Sequence, residues 1–468
     1  MTAVARPAAA ATVRAPAAID VPEMVVWALG LLMAIDYLGL TSEFGILKVL
    51  RVGTLLAYGM FAVVVAKGGL VPAASTRQGK LLLGLMGMAA ASIMYGLVRS
   101  YAPVALRAHV DYFVLFVVSA SVVDRRSRVT KLAVVATAII LVLVARNVEP
   151  LTSSMRVAAF KAGVFMGDGN DFAWGLVVLI PFIAYLIIER HNLMLRLAGV
   201  VGLAAAAVGV VGTQSRGGTL AVGAAMLYYI LFVTKRRGLA IVIVVVTAVG
   251  AVALAPSAYV SRMQTVSDYE DDNSARSRLQ AWGAATRMAL DYPLGVGAGN
   301  FNSAYGRYYM PDDENSQIEW ASGRWLSAHS VYFKVLGEYG FPGLLLFLLL
   351  IVVNFRENRR SGQVLASINA SDREVRPTLL SEHWPAVINM SLVGYAVAAI
   401  FLGGLAYPHL FLLSALTVSA SRHASLVKAS LTRPVVADDN RRPAPSPRPF
   451  SRLAPVSSRN AVGGSRWR

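Results

Sequence analysis

Apolar runs recur along this chain, most of them long enough to cross a hydrocarbon layer about 30 Å thick as a helix. Lipid offers the backbone no water, so a spanning segment of this kind closes its N–H and C=O groups within itself. The runs fall near 24–40, 45–66, 80–98, 104–123, 130–146, 171–189, 194–212, 216–234, 239–256, 331–353, 386–405 and 407–421. They predict an all-α, polytopic membrane helix bundle of about twelve transmembrane helices. The last two are short and fit a re-entrant pair as well. Charged residues make up 15 % of the chain and hydrophobic ones 56 %, against roughly 25 % charged in a soluble domain.

Between the ninth and tenth runs lies the one long polar stretch, residues 257–330. The chain thus divides into a lead-in (1–23), nine spans (24–256), this loop (257–330), three spans (331–421) around a loop at 354–385, and a basic tail (422–468). The lead-in has no cleavage pattern after it and reads as a short cytoplasmic segment. The net charge of +18 would suggest nucleic acid in a soluble protein. Here ten Lys/Arg against two Asp from Arg422 onward place much of it on a Pro/Ser/Arg-rich tail suited to anionic lipid, and nucleic acid is excluded. Cysteine is absent, so disulfides and thiolate metal sites are excluded too.

Basic loops at Lys67–Lys80, Asp124–Arg128, Glu189–His191, Lys235–Arg237 and Arg356–Arg360 all fall on one side if the N-terminus is cytoplasmic. Both chain ends are then cytoplasmic, and residues 257–330 face the periplasm in a double-membrane bacterium. Against this bias, Lys48, Arg51, Arg99, Arg107, Arg146, Arg156, Lys161 and Arg216 sit at the outer interface. Snorkelling to lipid phosphate accounts for most of them. The alternative is a bound anion, for which the planar guanidinium fork is suited.

Gly212-Thr213-Gln214-Ser215-Arg216-Gly217-Gly218 joins two spans with almost no loop, and Arg216 opens the helix that follows. A helix N-terminus favours anions, which makes this turn a structural cap or a phosphate seat. Ser274–Leu290 reads as an amphipathic helix with Leu279, Trp282, Ala285, Ala289 and Leu290 on its apolar face and Arg276, Arg278 and Arg287 polar. The following Pro293-Leu294-Gly295-Val296-Gly297-Ala298-Gly299 has no Lys-Ser/Thr and no preceding strand, so it is not a nucleotide loop. His329 stands alone before the tenth span, either a helix-start residue or a general base. None of the six histidines is paired at i, i+4, so no helical zinc motif exists. The acidic runs 268–272 and 312–314 read as solvated turns. Asn170 and Asp171 open the sixth span, either as its cap or as hydrogen-bond partners of a sugar.

In order and spacing, four of these elements resemble the O-antigen ligase and polymerase superfamily of bacterial polytopic membrane glycosyltransferases. They are Gly169-Asn170-Asp171-Phe172, Ser215-Arg216-Gly217-Gly218, Arg278–Trp282 leading to Asp291–Gly297, and Ala328-His329-Ser330 leading to Glu338–Gly343. The family often has Asn after the histidine, where this chain has Ser330.

The resemblance implies a GT-C-like bundle in the bacterial inner membrane that uses no cofactor or required metal. Its donor would be a glycan on polyprenyl (undecaprenyl) diphosphate. Its acceptor would be a hydroxyl of another glycan, of lipid A-core or of a glycoconjugate, in the assembly of lipopolysaccharide or exopolysaccharide. It assigns diphosphate binding to Arg216 and Arg278 and acceptor binding or deprotonation to His329, with Arg276, Asn170, Asp171 and Arg156 as further substrate contacts. Protein O-oligosaccharyl transfer is the alternative within the family. A polysaccharide transporter or lipid flippase is the alternative outside it, disfavoured because the chain shows no related halves and its ionisable residues crowd the interface.

Overall fold

The computed structural model describes residues 20–149, 166–189, 192–253, 273–311, 325–371, 380–404 and 407–432. Arg156, Lys161, both acidic runs and most of the lead-in and tail lie outside the described residues. Among those described there is no strand.

A helix occupies every expected run. These are α1 (Glu23–Tyr37), α2 (Val52–Ala66), α3 (Arg77–Tyr95), α4 (Tyr101–Val122), α5 (Arg126–Arg146), α6 (Gly169–Ile188), α7 (Leu193–Gly212), α8 (Arg216–Tyr228) and α9 (Arg237–Ala253). After α10 (Asn273–Asp291) in the polar stretch come α11 (Val331–Ser371), α12 (His383–Phe401) and α13 (His409–Thr432). Eight of the described helices are long and apolar enough to cross a membrane, α12 and α13 among them, which favours full spans over a re-entrant pair. α11 continues to Ser371 and α13 to Thr432, both past the ends expected from the apolar runs, at 353 and 421.

α6 is the hub of the bundle. It is apolar all round, and its side chains from Phe172 to Leu186 are buried without a break. It packs against α5, α7, α8 and α12, while α11 packs against α3, α10, α12 and α13. Polar side chains between the later spans hydrogen-bond one another across the helices. Asn354 donates to the Ser414 hydroxyl at 2.8 Å, and Asn358 to Asn389 Oδ1 and to Thr417 Oγ1, both at 3.0 Å.

The two ends of the bundle are built differently. At one, Arg128 is fully buried and donates to Glu23 (2.8 Å), Asp124 (3.0 Å) and the carbonyls of Val122 (3.1 Å) and Val21 (2.6 Å). This arginine of a basic loop therefore ties α1 to α5. At the other end the glycine-rich stretch after α10 locks into a break in α11. Gly340 has φ 61° and ψ −161°, which interrupts the helix, and Pro342 begins the resumed turn where its missing N–H costs nothing. Into that break the chain after Pro293 lays its backbone. Phe341 N–H donates to Pro293 O (3.2 Å), Val296 N–H to Gly337 O (2.9 Å) and Gly297 N–H to Glu338 O (3.0 Å). Gly295, at φ 85°, passes so close that a Cβ would lie 2.3 Å from Glu338 O. The glycines thus serve a backbone-to-backbone clasp.

The apolar face of α10 differs from the expected one. Ala281, Ala284, Ala285, Met288 and Ala289 are buried, whereas Leu279 and Leu290 are 55 % and 65 % exposed. Alanines let α10 lie close on α11, and the two leucines are left on the outside.

Candidate functional site

The clasp and the small residues of α10 decide where Arg278 lies. One turn after it, Trp282 Nε1–H donates to Ala328 O at 2.9 Å, and its indole stacks on Phe333 with centroids 4.8 Å apart at 10°. Arg278 shares that face of the helix and is half-buried. Arg276, ~200° away at 100° per residue, is exposed.

His329 follows directly on the carbonyl that Trp282 holds. Its φ is 45°, the left-handed region that histidine tolerates better than most side chains. Its neighbours Ala328 and Ser330 are wholly buried, and Ser330 Oγ donates to Ala399 O at 3.3 Å. Gly403 abuts the same backbone, since a Cβ there would stand 3.3 Å from His329 N. The residue is exposed along one side, yet protein surrounds enough of the ring for burial to be the largest cause lowering its pKa below 6.5. The positive charges of Arg278 and Lys334 lower it further, and Asp168 opposes them. An imidazole held in this way is neutral at pH 7 and can accept a proton.

NMR titration of labelled histidines should therefore place the His329 midpoint below 6.5, with Arg278→Gln moving it upward. A midpoint unmoved by Arg278→Gln would show that the guanidinium does not act on the ring.

Arg216 is the first residue of α8, half-buried, behind a turn in which Thr213, Gln214 and Ser215 are buried and Gln214 has φ 52°. Ser215 Oγ caps the helix by accepting from Gly218 N at 3.1 Å. The turn is wedged between two other spans. A Cβ on Gly217 would meet Phe401 of α12 at 3.0 Å, and one on Gly218 would meet Ala173 of α6 at 2.6 Å. Phe401 is two residues before the Gly403 that touches His329. The α12 terminus therefore bridges the Arg216 turn and the histidine.

At the α6 N-terminus the cap is Asp168, which accepts from Asn170 N (2.7 Å) and Asp171 N (2.9 Å), in place of the Asn170 or Asp171 expected. Asp171 instead accepts from Tyr407 O–H at 2.7 Å. Asn170 is half-buried beside it. Asp168 and Lys334, the other two charges acting on His329, are not singled out by sequence reasoning. Asp168 carries the ordinary signal of a helix-capping aspartate before an apolar run. Lys334 carries none, because only the fold brings its charge within reach of the imidazole.

Lys334 also lines a cavity of about 460 Å³ with Tyr101, His109, Glu338 and Tyr339. Glu338 is tied down there by Gly299 N (3.0 Å) and Phe301 N (3.3 Å). Among the described residues no cluster of His, Asp or Glu is arranged to hold a metal ion.

These features define a polytopic helical membrane protein that carries Arg216, Arg278 and His329 near the ends of helices α8, α10 and α11. Residues 201–348 match the family model of the O-antigen ligases, a stretch that takes in Arg216, Arg278 and His329. No curated protein matches the chain.

Proposed function

We propose that this protein transfers a glycan from a polyprenyl diphosphate to an acceptor hydroxyl at the periplasmic face of the bacterial inner membrane. The observation that carries the reading is the imidazole of His329, whose pKa burial and the nearby Arg278 charge lower. In the reaction the acceptor oxygen bonds to the anomeric carbon while the bond from that carbon to the diphosphate oxygen breaks. The acceptor proton passes to a ring nitrogen of His329, and the electron pair of the broken bond leaves on the diphosphate. Arg278 and the Arg216 turn, with the first N–H groups of α8, offset that developing charge. The mainly apolar bundle accommodates the isoprenoid tail. Both chain termini are cytoplasmic in this reading, and Arg276, Asn170, Asp171 and Arg156 contact the sugars.

Polysaccharide assembly, by ligation to lipid A-core or by polymerisation, is preferred to transfer onto a protein Ser or Thr. The deciding experiment offers purified protein a defined polyprenyl-diphosphate glycan with each acceptor class in turn, with and without EDTA. Transfer to a glycan or lipid A-core acceptor that survives EDTA supports the reading; product with protein acceptors alone redirects it. Arg278→Lys keeps the charge and loses the bidentate fork, and should cost about 10–100-fold in kcat. Full activity in that variant would remove Arg278 from the diphosphate site.

A further inference from the structure

A second cavity, of about 420 Å³, opens between α1, α2 and α4 at the end of the bundle that carries the site. Four charged residues line it: Asp36 from α1, Asp111 from α4, and Lys48 and Arg51 from the connection between α1 and α2. Asp111 accepts from Tyr58 O–H at 2.7 Å and lies 3.9 Å from the exposed Arg107. Asp36 is half-buried, faces Gly53, and has no hydrogen-bond or ion-pair partner for its carboxylate among the described residues. Lys48 and Arg51 are exposed and form no ion pair among the described residues. Arg51 adopts φ 50°, the left-handed region that a long side chain rarely occupies.

Opposite charges that share a cavity without meeting leave room between them for a group bearing both signs. The segment that supplies the two cations is otherwise largely apolar. Phe44, Ile46, Val49 and Leu50, on the same connection as the two cations, are 54–77 % exposed. Four such side chains, exposed on the segment that carries the cations, suit immersion among acyl chains and not contact with a soluble sugar.

We propose that this cavity binds the headgroup of an aminophospholipid, with the phosphate against Lys48 and Arg51 and the primary ammonium against Asp36 and Asp111. Snorkelling alone explains two exposed cations, but it leaves an unpartnered carboxylate beneath them unexplained. A purely anionic headgroup satisfies the cations and is repelled by both aspartates. A quaternary ammonium can approach the carboxylates and donates no hydrogen bond to them.

The test reads lipid retention and not transfer, so its failure leaves the proposed reaction untouched. Full-length protein is purified in mixed micelles of phosphatidylethanolamine, phosphatidylcholine or phosphatidylglycerol, and retained lipid is counted by native mass spectrometry. Wild-type protein should retain phosphatidylethanolamine about tenfold better than either other lipid, a difference of about 1.4 kcal/mol. Asp36→Asn should bring phosphatidylethanolamine down to the phosphatidylcholine level, and the double variant Lys48→Gln, Arg51→Gln should lower both. Equal retention of the three lipids by wild-type protein, or a preference for phosphatidylglycerol, overturns the proposal without recourse to any variant. So does a phosphatidylethanolamine preference that survives in both variants.

Discussion

His329→Asn should lower glycan transfer by about 10²–10⁴-fold, the range contributed by a positioned general base. Asparagine is the informative replacement because it accepts the left-handed backbone that His329 holds at φ 45°. Alanine would add backbone strain to the loss of the ring, so an inactive His329→Ala protein would confound the two. With asparagine, Trp282 still donates to Ala328 O and Ser330 to Ala399 O, and the melting temperature should stay close to wild type. A His329→Asn protein that transfers glycan at the wild-type rate would mean that the acceptor proton goes elsewhere.

The other large effect belongs to a glycine far from the chemistry. Gly340→Ala places a Cβ 1.9 Å from Pro293 O and 2.7 Å from Gly295 N, both main-chain atoms with no rotamer to relieve the overlap. The left-handed φ of 61° adds a strain of about 1–3 kcal/mol for a non-glycine residue. The clasp between the chain after Pro293 and the break in α11 should open, and with it the seating of α10. Limited proteolysis should then cut within residues 273–311 in membranes where the spans remain protected, and transfer should fall below detection. Wild-type resistance to protease together with normal transfer would mean that α10 is held in place by something other than the clasp.

How legible was this in the sequence? The spans were readable because apolar length is a local property that the bilayer turns directly into helix. Their ends were less so. α11 and α13 both outrun their apolar stretches, and past the end of the first Asn358 finds polar partners, Asn389 and Thr417, on the neighbouring spans. The face of α10 was misread as well. Leu279 and Leu290 are the more hydrophobic residues, but close approach to α11 favours alanines at the contact. The glycine run was legible as lacking the Lys-Ser/Thr of a nucleotide loop, while its partner, the break at Gly340, is some forty-five residues away in sequence. Arg216, Arg278 and His329 each stood out as polar residues next to spans. What relates them is Phe401 against Gly217, Gly403 against His329 and Trp282 against Ala328, contacts between distant segments that no local pattern encodes.

Ser330 rests on Ala399, Tyr332 O–H donates to Ala396 O at 2.9 Å, and Gly403 backs His329, so α12 and the residues just after it, some seventy positions on, supply the histidine's support. If those residues carry the proposed transfer, a chain that holds both arginines and the imidazole but stops before α12 should be inert. Under the proposed reading, a copy cut off before α12 would leave its lipid-linked donor untouched.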